Sequence, residues 1–138
     1  MRVTTFMLAR AIIQDQDGSV QALAQPCLDR WIETGCMPSE VKVCTFAHIV
    51  PDPGDDGVPI RIRIIGRVEG NPAEQAEFLK TIGSFSPERR RITITGAVRF
   101  KAPAEGRLRV SQFLNDREVA WAPLEILFRP GAKHGDEI

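Results

Sequence analysis

Ile60-Arg61-Ile62-Arg63-Ile64 alternates apolar and basic side chains without a break. A strand turns successive side chains to opposite faces, so this stretch buries three isoleucines on one side and wets two arginines on the other. A helix would scatter the same isoleucines around its circumference. These five residues read as a half-buried strand, and much of the chain repeats their pattern.

Upstream, Glu40 to Val50 alternates in the same way, with Val41, Val43, Thr45, Ala47 and Ile49 on one face. Between the two stretches lies Pro51-Asp52-Pro53-Gly54-Asp55-Asp56-Gly57, whose two prolines and two glycines deny it a regular ladder. Thr5 to Ile13 is apolar and β-prone, Asp15-Gln16-Asp17-Gly18 interrupts it, and Ser19 to Ala24 resumes, which predicts a hairpin. Gln25 to Pro38 is open between a short helix carrying Leu28, Trp31 and Ile32 and a loop with an aromatic plug.

Downstream, Asn71 to Gly83 is predicted as a helix. Asn71 suits the N-cap, Pro72 the first helical position, Glu74 the capping box and Gly83 the stop, with Phe78, Leu79 and Ile82 as the buried stripe. Arg91 to Lys101 alternates again. Leu108 to Leu114 and Glu118 to Phe128 flank Asn115-Asp116, a two-residue hairpin turn. Pro123 places its strand at an edge or a bulge. The reading is a mainly β chain: an antiparallel β-sandwich of about seven strands with one inserted helix, a closed barrel of oligonucleotide-binding type being the alternative. Residues 1–130 make one domain and residues 131–138 a polar C-terminal tail.

At this point the chain resembles a family of small uncharacterised bacterial β-sandwich proteins, a domain of unknown function. The resemblance is carried by Phe6-Met7-Leu8-Ala9-Arg10-Ala11 with Asp17-Gly18 downstream, and by Ile49-Val50-Pro51 before an acidic loop. The closing hairpin, Gly106-Arg107-Leu108 through Asn115-Asp116-Arg117 to Ala122-Pro123-Leu124, also carries it. The chain departs from the family at Arg10, where an acidic residue is usual, and at Gln25-Pro26-Cys27, where a glycine-rich step precedes the Trp. The resemblance implies a compact sandwich with no assigned enzymatic activity, and no catalytic residue comes with it.

The residues themselves offer little chemistry. Cys27, Cys36, Cys44 and His48 are separated by eight, seven and three residues, not in the close pairs of structural zinc sites. On a strand Cys44 and His48 would stand about 13 Å apart, too far for one ion or a catalytic dyad. Asp52, Asp55 and Asp56 lack the spacing of an EF-hand and read as a solvated loop. Phosphate-cradling glycine motifs are missing, so no metal, cofactor or enzymatic activity is expected. No apolar run approaches the roughly 20 residues of a membrane span, and the start lacks a secretory signal. An odd number of cysteines without paired spacing fits reduced thiols in the cytosol.

Charge placement is the remaining signal. The net charge is zero, yet Arg61 to Arg109 holds eleven basic residues against five acidic ones, a net +6 that leaves −6 elsewhere. Arg61 and Arg63 share a strand face, as do Arg91 and Arg99, and Arg107 and Arg109. On neighbouring strands these six arginines would form one outward patch. The expected function is non-enzymatic protein–protein contact, as an accessory subunit or a homo-oligomer. The alternative is a module that binds nucleic acid or an anionic ligand on the arginine face. It is disfavoured because no Phe or Trp alternates with the arginines to stack bases.

Overall fold

Strands account for nearly all of the regular structure in the computed structural model, which describes residues 1–14, 20–26, 31–35, 39–69, 76–102, 105–130 and 136–137. In chain order they are β1 (Arg2–Gln14), β2 (Val20–Pro26), β3 (Trp31–Thr34), β4 (Ser39–Val50) and β5 (Ile60–Val68). Then follow β6 (Ala76–Ile82), β7 (Ile92–Ala102), β8 (Gly106–Leu114), β9 (Arg117–Phe128) and β10 (Asp136–Glu137). One sheet has the order β2-β1-β4-β7, and the other β10-β3-β9-β8-β5-β6.

The two sheets face each other across a shared core. Val41, Val43, Ala47 and Ile49 of β4 and Ile92, Ile94 and Val98 of β7 supply one wall. Ile60, Ile62 and Ile64 of β5, with Leu108, Val110 and Leu114 of β8, supply the other. Both walls follow the period of two expected of half-buried strands. The architecture is a β-sandwich, mainly antiparallel; the short β3 runs parallel to β9.

One glycine sets how closely the walls approach. A Cβ added to Gly96 on β7 would overlap Ile64 Cδ1 and stand 3.2 Å from both Phe78 Cε1 and Thr45 Oγ1. Gly96 pairs with Thr45 within its own sheet, so the missing side chain is the space that Ile64 fills from the opposite sheet. Close-packed interiors leave no slack for an extra methyl.

Several expectations change here. The inserted helix is not seen. Residues 71–75 lie outside the described residues, and Ala76–Ile82 is the strand β6, paired antiparallel with β5 from Ile60↔Ile82 to Gly66↔Ala76. Pairing with β5 satisfies one side of this segment's backbone, and together with burial of Phe78 and Ile82 it outweighs the helix-capping residues that precede it. In the open stretch, Trp31–Thr34 is a strand, and residues 27–30 and 36–38 lie outside the described residues. The Asp15–Gly18 turn also lies outside them.

β9 as a whole lies inside its sheet, with β8 on one side and β3 on the other, and its register shift against β8 falls at Gln112/Phe113, away from Pro123. The β3 ladder begins only at Glu125, so among the described residues Pro123 takes the edge position expected of it, where a missing N–H costs no ladder bond. Asp136–Glu137, inside the expected tail, pairs with β3. Asn115-Asp116 turns β8 into β9 with φ of 48° and 67°, a left-handed backbone that Asn and Asp tolerate. The turn is also tied to the start of β5. The Arg61 N–H donates to Asn115 Oδ1 (2.8 Å), and the Asn115 side-chain amide donates to the Pro59 carbonyl (3.2 Å).

The Gly96 contact makes a test of the sheet-to-sheet packing. Gly96→Ala is expected to cost about 1–3 kcal/mol through overpacking, against a gain of about 0.4–1 kcal/mol from a stiffer unfolded chain. Ile64→Val removes the overlapping Cδ1 and alone costs about 0.5–1.5 kcal/mol. Urea midpoints of the two single variants and the double variant check this. The double variant is expected to be more stable than the two single losses added together, and strict additivity would refute the contact.

Candidate functional site

The outer face of the six-stranded sheet is assembled by register. Leu79, Arg63 and Phe113 lie side by side on β6, β5 and β8. The next row holds Glu77, Ile65, Ser111 and Trp121, and the row beyond it Arg67, Arg109 and Pro123. Leu79 is 65% and Trp121 47% exposed, among the few large apolar side chains left in solvent. Ile65 also belongs to this face and outside the core cluster, yet it is buried. Its neighbours are Arg63 and Arg67 along the strand and Glu77 and Ser111 across it.

The arginines of this face are engaged. Arg63 donates from Nε and Nη2 to Glu77 Oε2 at 2.9 and 2.7 Å, and its guanidinium sits 5.8 Å from the Phe113 ring centre. Arg109 donates to Glu118 and lies 4.1 Å over the Trp121 ring. Arg107 has Glu69 at 3.7 Å. Arg61 reaches Asp116 at 2.8 Å and so braces the hairpin turn already tied to its backbone. Exposed pairs of this kind contribute only about 0–1 kcal/mol each. Their larger effect is to neutralise the face locally.

The six sequence-predicted arginines are therefore divided. Arg61, Arg63, Arg107 and Arg109 share the outer face of the six-stranded sheet. Arg99 is on β7 in the other sheet, with Glu40 at 3.6 Å, and Arg91 immediately precedes that strand. The rings missing from the arginine stretches in sequence are supplied across strands, by Phe113 and Trp121. A signal for Trp121 was present. It runs out of phase with Ala122, Leu124 and Ile126, the inward row of β9.

The other candidates are occupied by structure. Cys44 is a buried free thiol whose pKa is pushed up by burial, against the pull of Lys42 and Arg99. A thiol held neutral is a poor nucleophile. His48, on the same face, packs edge-on against Phe46 with ring centres 4.7 Å apart. Arg91 Nη2 contacts His48 Nδ1. A guanidinium can only donate, so Nδ1 accepts. Burial first, and then the Arg91 charge, lower the His48 pKa below 6.5.

The acidic loop is not solvated freely. Asp52 accepts from Arg2 Nε at 2.7 Å, Asp56 from Arg90 at 2.5 Å, and Asp55 binds the chain's amino group at 2.5 Å. That amino group and the Asp52 N–H hold the Asp55 carboxyl below its usual range. Among the described residues, no group of three or more His, Cys, Asp or Glu is placed to hold a metal ion. Among them, too, no helix is long and apolar enough to cross a membrane. Cys27 and Cys36 lie outside the described residues.

No protein-family model and no curated protein matches the chain. Among solved structures, a glycosyl hydrolase family 2 member from Bacteroides cellulosilyticus is similar at 11% identity with a TM-score of 0.50, over 70% of this chain and 14% of that one. A second structure of such a member, from B. cellulosilyticus DSM 14838, gives 9% identity and 0.45 over 69% and 14%. An immunoglobulin-like protein from Pseudomonas aeruginosa gives 11% identity and 0.36 over 91% and 95%. The chain thus spans about 14% of the length of the two hydrolases. The first likeness agrees with a β-sandwich and speaks to the fold alone.

The His48 environment yields a titration test. Because its folded pKa is lowered, the unfolded chain binds the proton more readily. The stability that His48 contributes is present above pH about 6.5 and is lost as pH falls through the folded pKa. Imidazole NMR is expected to show a midpoint below 6.5. Arg91→Gln raises that midpoint without restoring the unperturbed value, because burial is the larger cause.

Proposed function

We propose that this chain is a non-catalytic, cytosolic binding module that docks another protein on the outer face of its six-stranded sheet. It acts there as an accessory subunit and belongs with the small bacterial β-sandwich proteins that it resembles. One observation carries this reading: Leu79, Phe113 and Trp121 share a sheet face with arginines already paired to Glu77 and Glu118. Trp and Arg are the residues most often found where protein interfaces concentrate their binding energy. Local neutrality suits a protein surface of mixed charge better than a polyanion, which gains affinity by releasing counterions from unpaired basic groups. A buried, high-pKa Cys44 and carboxylates engaged by cations support the non-catalytic part.

A nucleic-acid or anionic-ligand reading gains from the same rings, since Phe113 and Trp121 lie beside Arg63 and Arg109. It loses because the Trp121 ring is already covered by the Arg109 guanidinium.

Affinity capture from a lysate of the source organism, followed by titration with the purified partner, separates the two. Trp121→Ala is expected to weaken binding about 30-fold or more, and Arg107→Ala at the rim only a few-fold. The wild-type complex is expected to survive roughly 0.5 M salt, where exposed charges are screened. The reading fails if the partner is indifferent to Trp121, or if a labelled oligonucleotide binds tightly at low salt and is released as salt rises.

A further inference from the structure

A second surface lies beyond the outer face. β6 ends its sheet and pairs only with β5 among the described residues, so its far side offers unpaired backbone N–H and C=O groups. Native edges of this kind are normally capped, bulged or heavily charged. β6 has no proline within it, no register shift against β5, and carries the exposed Leu79.

The strand itself carries one carboxylate and one cation. Glu77 is taken up by Arg63, which leaves Lys80 as the cation of the strand. Just past the strand end, Arg89 Nη1 lies 3.1 Å from where a Cβ on Gly83 would stand, so its guanidinium is close to the end of β6. Lys80 and Arg89 are both exposed, and neither is ion-paired among the described residues.

We propose that the free edge of β6 receives an extended acidic segment of a partner protein, which adds to the sheet as a further strand. The backbone ladder supplies affinity. An apolar residue of the segment meets Leu79, and its carboxylates meet Lys80 and Arg89. A second copy of this chain fits less well. Antiparallel self-pairing centred on Leu79 makes the two Lys80 side chains diagonal cross-strand neighbours, where like charges repel.

The test is fluorescence anisotropy on the intact chain with three labelled peptides. In one, valine alternates with glutamate; in the second, valine alternates with lysine; the third is the acidic peptide with alternate backbone amides methylated. The acidic peptide is expected to bind at least about 10-fold more tightly than the basic one, and methylation is expected to abolish its binding. Lys80→Glu, which leaves Arg89 facing one added carboxylate, erases the charge preference, and Lys80→Gln weakens the acidic peptide by less. Trp121→Ala leaves all of this unchanged, which keeps the edge distinct from the outer face. Equal binding of both charges, indifference to methylation, loss of binding with Trp121→Ala, or a dimer in sedimentation that Lys80→Glu abolishes would each overturn the proposal.

Discussion

Everything outside the sandwich is arranged by what meets inside it, and one meeting that leaves no room is Ile64 against Gly96. At that point the two sheets approach closely enough that no side chain fits on β7. Ile64 is central to β5, flanked by Phe78 on β6 and Gln112 on β8. Once its side chain is committed inward, alternation turns Arg63 and Ile65 outward. The outer face is thus the complement of the core, and its composition follows from a packing requirement on the other side of the same strands.

That face shows how a sheet converts distant residues into neighbours. Arg63 and Glu77 are 14 residues apart, yet they meet because β5 and β6 pair. Arg109 covers Trp121 across the β8–β9 hairpin, whose turn is held to β5 by Arg61 and Asn115. Aligned cations would repel: Arg67 and Arg109 are direct partners between β5 and β8. Glu118 and the Trp121 ring offset this at Arg109. The result is a mixed surface where a sum over sequence shows a basic block.

The misread segment has the same origin. Asn71, Pro72 and Glu74 carry helix-start chemistry, and Phe78, Leu79 and Ile82 make a plausible helical stripe. The strand puts Phe78 and Ile82 toward the core and Leu79 in solvent. Capping contributes about 1 kcal/mol, whereas ladder pairing along β5 with burial of Phe78 and Ile82 is worth more. The alternation of Phe78, Lys80 and Ile82 with Glu77, Leu79 and Thr81 was visible, but period two and period 3.6 overlap in so short a run.

What the sequence determined by itself was local and periodic. The alternating stretches, the Pro51–Gly57 loop and the Asn115-Asp116 turn follow from backbone sterics and from which faces must leave water, and these act over a few residues. The order of the strands was decided only by tertiary structure, because pairing depends on which apolar faces fill one common core. With that order came the division of the six arginines between two sheets, the carboxylates that neutralise them, and the rings of Phe113 and Trp121 beside them. A net charge of +6 over one stretch is a property of the chain; whether it makes a basic surface depends on what lies across the strand.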